Sequence, residues 1–222
     1  MRLAEATWIA HQLAAARDRL GRLTLVNVGS QTAEFRKHKQ PHIEQLIFAP
    51  LQARGDVVIH ADLQAGDGID VTGDLADPAT RQKIVEHNCN VVLCSNLLEH
   101  VSEPRLFAQW TRQLVGDNGV IVVTVPRSYP YHADPIDNGF RPTPEELASL
   151  FPDCSVVIGQ VVADTTFAQE LWAQKRKGAI TAIKTVLGAV LSSPEVRRAR
   201  RDKLRWLRRP FSTSCVVLRA MG

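Results

Sequence analysis

Four polar side chains capable of chemistry fall within six residues of one another: Ser95, Asn96, Glu99 and His100, in the stretch Asn90–Val101, NVVLCSNLLEHV. An imidazole titrates near neutrality, so His100 can serve as a general base. Glu99 and His100 can equally well hydrogen-bond to neighbouring loops and shape the floor of a site. The residues before them, Val91–Cys94, are small or branched and apolar. That is the pattern of a parallel strand covered on both faces, and ligands in open α/β sheets collect where such strands end. A core strand running into a polar loop would read the same way, so the decision rests on the elements that must surround it.

Those elements alternate. Ala6, Ile9, Leu13, Ala16 and Leu20 recur at helical spacing and stop at Gly21, which predicts an amphipathic helix over 3–20. LTLVNVG (23–29) reads as a strand ending in a glycine turn, Ile43–Leu51 as helix-like, and DVVIHADL (56–63) as a second strand ending in Asp62. A brief strand over 69–72 precedes Asp74, and Asp77-Pro78 starts a helix with Asp as N-cap. After the central strand come a helix over 104–115, the turn GDNG, and the strand VIVVTVP (120–126). Thr143-Pro144-Glu145-Glu146 is the start of another helix, and 155–163 and 214–219 are two further strands. The order predicts an α/β fold: a Rossmann-like, seven-stranded, mostly parallel sheet with helices on both faces, and a basic helical insert before the last strand. The corresponding division is 1–164 with 211–222 for the sheet domain and 165–210 for the insert.

Composition narrows the class. With 45% hydrophobic and 23% charged residues the chain resembles average soluble domains, and no stretch approaches the ~20 apolar residues of a spanning helix. The first twenty residues lack the apolar core of a signal peptide, so a cytoplasmic location is expected. Cys89, Cys94, Cys154 and Cys215 show no CxxC spacing and there is no HExxH, which favours buried free thiols over metal ligands. The net charge of +4 is unevenly spread: residues 175–210 hold twelve Lys and Arg against Glu195 and Asp202, a net +10, which leaves −6 for the rest.

Taken in order, VNVGSQTA, the acids Asp62 and Asp74, VVLCSNLLEHV, the GDNG turn before VIVVTVP, and PYHADPIDNGFRPTPEEL resemble class I S-adenosylmethionine-dependent methyltransferases, most nearly the small-molecule branch called methyltransferase type 11. The resemblance covers 23–164, with 214–219 as the usual last strand. It implies S-adenosyl-L-methionine as cofactor, bound by Asn27, Gly29, Ser30, Gln31, Asp62, Leu63, Asp74, Leu75 and Asn96. The turn at Gly29–Gln31 would pass the methionine end, Asp62 would accept from the ribose hydroxyls, Asp74 and Leu75 would meet the adenine, and Asn96 would line the methyl side. A carboxylate suits a ribose because two adjacent hydroxyls can donate to its two oxygens. The sequence departs from the family pattern at Asn27, where an acid is usual, and at Gln31 and Ala33, where glycines are usual. The loop after Pro126 overhangs the acceptor in this fold, which makes Tyr129, Tyr131, His132, Asp134, Asp137 and Arg141, with Glu99, candidates for substrate contact and leaves His100 as the candidate catalytic group.

The implied activity is methyl transfer to a hydroxyl or amine of a small or glycan- or lipid-linked acceptor. The alternative is an inactive scaffold of the same fold that docks on membrane or nucleic acid through its insert. In the insert an apolar helical face (Ile180, Ile183, Val186, Leu187, Val190, Leu191) precedes an arginine-dense stretch containing Leu204, Trp206 and Leu207. Such a composition suits an anionic lipid surface and a peripheral place at the inner membrane face; a helical lid or dimer element suits it as well, and nucleic acid less so. A nicotinamide-dependent reductase is disfavoured, since neither GxGxxG nor Tyr-x-x-x-Lys is present.

Overall fold

The computed structural model describes residues 1–131, 136–173 and 206–222. Seven strands form one sheet in the order β3-β2-β1-β4-β5-β7-β6. They are β1 (Thr24–Val28), β2 (Val57–Asp62), β3 (Val71–Thr72), β4 (Val91–Ser95), β5 (Val120–Ser128), β6 (Cys154–Thr166) and β7 (Pro210–Ala220). The pairs β1·β2, β1·β4, β2·β3 and β4·β5 are parallel, and β7 runs antiparallel to both β5 and β6. The predicted fold class is therefore the observed one.

Alternation along each strand explains why the central ones read as unbroken apolar runs. Leu25, Val91, Leu93, Val120 and Val122 point to a layer formed by α1 (Leu3–Leu20), α2 (Pro41–Ile43), the turn Glu44–Phe48 and α3 (Ala49–Ala53), through Ile9, Leu13, Ile43, Phe48 and Leu51. Val26, Val28, Val92, Cys94, Ile121 and Val123 point to the opposite layer, where α4 (Pro78–Val85), α5 (Pro104–Arg112) and α6 (Pro144–Ala148) supply Ile84, Phe107, Ala108 and Leu147. Each such side chain contributes about 1.5–3 kcal/mol when fully buried, which fixes strand register and so the positions of the strand ends. Cys89, Cys94 and Cys215 are buried free thiols and Cys154 is partly exposed. Burial pushes Cys89 up to about 11 and Cys94 to about 12.

The helix starts follow their caps. Asp77 accepts from the Ala79 N–H at 2.9 Å with Pro78 in the first position, and Thr143 and Glu146 form a reciprocal capping box. Some boundaries differ from the sequence pattern. Helix α5 ends at Arg112 rather than 115, because Leu114 and Val115 turn into the core ahead of the GDNG loop. Residues 35–53 are helical apart from a bend at Gln40, with π-helical turns at Phe35–Lys39 and Glu44–Phe48 on either side of α2; the polar stretch 30–39 hid the first of them. Strands β6 and β7 run beyond the expected 155–163 and 214–219.

Most of the expected insert, 174–205, lies outside the described residues, as do His132 and Asp134. Its root is described. A short helix, α7 (Phe167–Ala173), follows β6 directly, and the Phe167 N–H donates to the Trp206 carbonyl at 3.1 Å. The Trp206 ring stacks on Phe211, Arg2 lies over the Phe211 ring at 4.5 Å, and Arg209 lies over Trp206 at 5.2 Å. Among the described residues no helix is long and apolar enough to cross a membrane.

One buried group gives the fold an acid limit. His60 of β2 sits edge-on to Phe48 and its Nδ1 meets the Asn27 amide at 3.3 Å, which suits an unprotonated acceptor nitrogen. Burial, aided by Arg36 and Lys37, lowers its pKa from 6.5 to about 4. The neutral imidazole is thus favoured by folding: the contribution is full above pH 6.5 and is lost as pH falls through about 4. The expected loss is about 3 kcal/mol over that range. Urea denaturation at several pH values should show it, with a flatter acid limb in His60→Gln; equal slopes in both proteins would show that His60 is not the titrating group.

Candidate functional site

A cavity of about 1070 Å³ opens over the carboxyl ends of β1, β2 and β4. There β1 lies between β2 and β4, so chain connections leave in opposite directions and the sheet cannot close over the gap. The wall includes all of the residues expected to meet a cofactor, Asn27, Gly29, Ser30, Gln31, Asp62, Leu63, Asp74, Leu75 and Asn96, together with Glu99 and His100. Four separate segments thus converge on one space.

The turn after β1 is held by backbone bonds from several sides. The N–H groups of Gly29 and Ser30 both donate to the Ala61 carbonyl, and the Gln31 N–H donates to Asp62 Oδ2 at 2.8 Å. Asp62 Oδ1 accepts from the Gln64 N–H at 3.2 Å. Gly29 has φ +69°, and a Cβ there would meet the Leu97 methyls at 2.8 Å, so glycine is required both by conformation and by the close approach of Leu97. Gln31 has φ +56° and is exposed at the rim. Beneath it lies Arg36, which is 3% exposed and donates to the carbonyls of Ser30 (3.1 Å), Gln31 and Gly68 (2.9 Å). Burial lowers the Arg36 pKa, and the carboxylates Glu44, Asp70, Asp62 and Asp67 act against that.

On the next wall Asp74 Oδ1 accepts from the Ala76 N–H at 2.9 Å, while Leu75 is buried and its carbonyl accepts from Arg81. Gly73 has φ +150° and leaves no room for a side chain against Thr80, which fixes the approach of Asp74 to the cavity.

Across the cavity Asn96, with φ +50°, donates its amide to Glu5 Oε1 at 2.8 Å; the Thr124 hydroxyl donates to the same oxygen at 2.6 Å, and the Arg2 N–H to Oε2 at 3.1 Å. His100 Nδ1 donates to the Ile136 carbonyl, and its Nε2 is 3.7 Å from Glu99 Oε1. Glu99 is wholly buried, and neither carboxyl oxygen has a hydrogen-bond partner. Burial raises its pKa from 4.5 to about 8, with Glu5 and Asp137 adding to the rise and Arg141 opposing it.

The loop over this end is pinned by Asn138, whose amide donates to the Leu98 and Val101 carbonyls and whose N–H donates to the Glu99 carbonyl. Arg141 is not part of the cavity wall; it pairs with Asp137 at 2.6 Å. Tyr131 is 72% exposed and also away from the wall, whereas Tyr129 lines it.

Two residues that position the site were not evident in the sequence. Arg36 sits in a polar run and bonds to carbonyls up to 32 residues away, which no local pattern announces. Glu5 carried a faint signal: it stands three residues after Arg2, where a helix-capping acid belongs, yet its main bonds reach Asn96 and Thr124.

No protein-family model matches the sequence, and neither does any curated protein. The structure is similar to solved ones. It matches the CurJ carbon methyltransferase with TM-score 0.53 and 12% identity, over 98% of this chain and 54% of that one. A protein from Bacillus halodurans C-125 assigned as a methyltransferase matches with TM-score 0.50 and 12% identity, over 96% and 99% of the two chains. A protein from Galdieria sulphuraria assigned as a sarcosine dimethylglycine methyltransferase matches with TM-score 0.50 and 12% identity, over 98% and 85%. Strand order and these likenesses together identify the fold as that of class I S-adenosylmethionine-dependent methyltransferases.

Proposed function

We propose that the chain is an S-adenosylmethionine-dependent methyltransferase acting on a hydroxyl or amine of a small or glycan- or lipid-linked acceptor. The observation that carries this is the convergence of the Gly29–Gln31 turn, Asp62, Asp74 and Asn96 on one open cavity at the point where the strand order reverses. The volume, about 1070 Å³, suits a nucleoside cofactor plus part of an acceptor. The residues fit the group chemically. Each carboxylate oxygen of Asp62 takes one backbone N–H, and a carboxylate oxygen has two lone pairs, so both oxygens can also accept from a vicinal diol. Asp74 and Leu75 place an acceptor beside an apolar surface, as a purine requires.

At the departures from the glycine-rich pattern, Gln31 takes the left-handed conformation that a glycine would supply and is an exposed residue of the cavity wall, and Ala33 is buried against Gly68. When bound, the cofactor supplies an already activated methyl group, so the protein's task is alignment of the acceptor and exclusion of water. His100 stands at the acceptor end of the wall, beside Glu99, and can take up a proton there. The large apolar share of the wall, including Phe107, Trp110, Leu106 and Tyr129, supports an acceptor with an apolar body.

Calorimetry with S-adenosylmethionine and S-adenosylhomocysteine tests the reading. Binding of both is expected, and no heat with either would refute the cofactor. Asp62→Ala and Asp74→Ala should each weaken binding by about 1–3 kcal/mol, the worth of a hydrogen bond to a charged group. Unchanged affinity in both variants would refute the sugar and base contacts.

The association of the basic segment 175–210 with an anionic membrane surface, and with it a peripheral place at the inner face, is part of this proposal and rests on composition. Co-sedimentation with phosphatidylserine vesicles, lost at high salt, is the matching measurement.

A further inference from the structure

We infer that the acceptor taken by this cavity is a basic amine with an apolar body, and that Glu99 is the binding residue that recognises it. The inference rests on the methyltransferase reading for the role of the occupant, but its physical basis is separate. Glu99 belongs to the cavity wall, is wholly buried, and has no hydrogen-bond partner on either oxygen. A buried carboxyl group in that state is expensive, because it has given up water for little beyond its own backbone N–H and the His100 Nε2 at 3.7 Å. Such groups are few in folded proteins, and a functional role is one reason they are kept.

The surroundings say what kind of ligand. The ionisable side chains of the wall are Arg2, Asp62, Asp74, Glu99, His100 and Glu103, so carboxylates outnumber cations. Arg2 is already committed to Asp164 and Glu170. His100 spends Nδ1 on the Ile136 carbonyl, and its Nε2 stops at 3.7 Å from Glu99 Oε1, beyond hydrogen-bond distance. The groups that face Glu99 from elsewhere are Glu5 of α1, Cys94 of β4, and Asp137 with Arg141 of the overhanging loop; Arg141 is neutralised by Asp137. The local field therefore favours a positive occupant. An ammonium offers two or three donors and a compensating charge to Glu99, whereas a hydroxyl offers one donor and no charge. The rings of Phe107, Trp110 and Tyr129 on the same wall accommodate the apolar body of the amine and attract its cationic end.

The proposal carries a proton signature. Glu99 holds its proton near neutrality in the free protein, since its pKa lies at about 8. Pairing with an ammonium favours the carboxylate, so binding an amine at pH 7 releases close to one proton, while binding an alcohol releases none.

The test uses 2-phenylethylamine and its neutral counterpart 2-phenylethanol as probes, by calorimetry on the full chain saturated with S-adenosylhomocysteine. Titrations in phosphate and in Tris separate proton release from intrinsic heat. The expected result is at least about tenfold tighter binding of the amine, with proton release, and loss of both in Glu99→Gln while the affinity for S-adenosylhomocysteine is unchanged. Equal binding of amine and alcohol, failure of the amine to bind at millimolar concentration, amine binding without proton release, or a preference that survives Glu99→Gln would each overturn it. Should S-adenosylhomocysteine itself fail to bind, the cofactor reading falls, and the same two probes without it still decide the role of Glu99.

Discussion

Arg36→Leu is expected to cost about 3 kcal/mol or more of stability and to reduce affinity for S-adenosylhomocysteine more than tenfold. The guanidinium reaches the carbonyls of Ser30, Gln31 and Gly68; the Gln31 carbonyl also accepts from the Ser30 hydroxyl at 3.2 Å, so removing the guanidinium takes the side-chain donor from the other two. An unsatisfied buried acceptor costs about 1–3 kcal/mol, and leucine can repay only part of that through packing. The functional loss follows from the same bonds. Gln31 keeps φ +56° against its intrinsic preference because Arg36 holds its carbonyl from below and Asp62 holds its N–H from the side. Release one of these and the turn relaxes into the cavity. Arg36→Lys should fall between the two proteins, since an ammonium has donors but lacks the planar fork that reaches three oxygens. Urea denaturation and calorimetry measure the two effects. An Arg36→Leu protein with wild-type midpoint and affinity would show the clamp to be ornamental.

Glu99→Gln should make the protein more stable, and only on the alkaline side. The carboxyl pKa is raised from 4.5 to about 8 in the folded state. A raised pKa means that the protonated form belongs to the fold: below about 4.5 both states hold the proton and nothing is lost. Between 4.5 and 8 the unfolded chain ionises while the fold resists, so stability drains away as pH rises, and above 8 the deficit is constant. Glutamine has the shape of the neutral acid and does not titrate. The variant should match wild type near pH 4.5 and gain about 5 kcal/mol above pH 8. The slope is opposite to that of His60, so the two cancel between about pH 4.5 and 6.5 and stability falls away on either side of that range. Parallel pH profiles for wild type and Glu99→Gln would remove Glu99 as the cause. Stability gained at the expense of amine recognition is the usual exchange at a binding site.

Much of the scaffold was legible because it depends on local rules. Asp77-Pro78 and Thr143-Pro144-Glu145-Glu146 each state a helix start in chemistry that acts over three residues, and both caps form as written. The central strands were legible because burial on both faces admits only apolar residues there. The π-helical turns at 35–39 and 44–48 were not, since their spacing departs from the helical repeat by which helices are recognised. For the candidate site, position was readable and support was not. Asp62, Asp74 and Asn96 end strands, and strand ends can be found one at a time. Glu5 and Arg36 act across 91 and 32 residues of chain, and nothing beside them in sequence marks the partner. Glu99 was visible as a polar residue after a strand; that it would be sealed away without a partner is a property of packing alone.

The root formed by Phe167, Trp206, Phe211 and Arg2 has a bearing on how this chain tolerates change. Residues 173 and 206 depart and return at one knot, tied by a main-chain bond to Trp206 and by a pile of rings capped with guanidinium groups. Strand β7 finds its register from Thr166 opposite Pro210 onward, whatever length of polypeptide runs between. The entropy of closing such a loop grows by only about 0.6 kcal/mol for each doubling. A change in the number of residues between 173 and 206 is therefore expected to cost the sheet little.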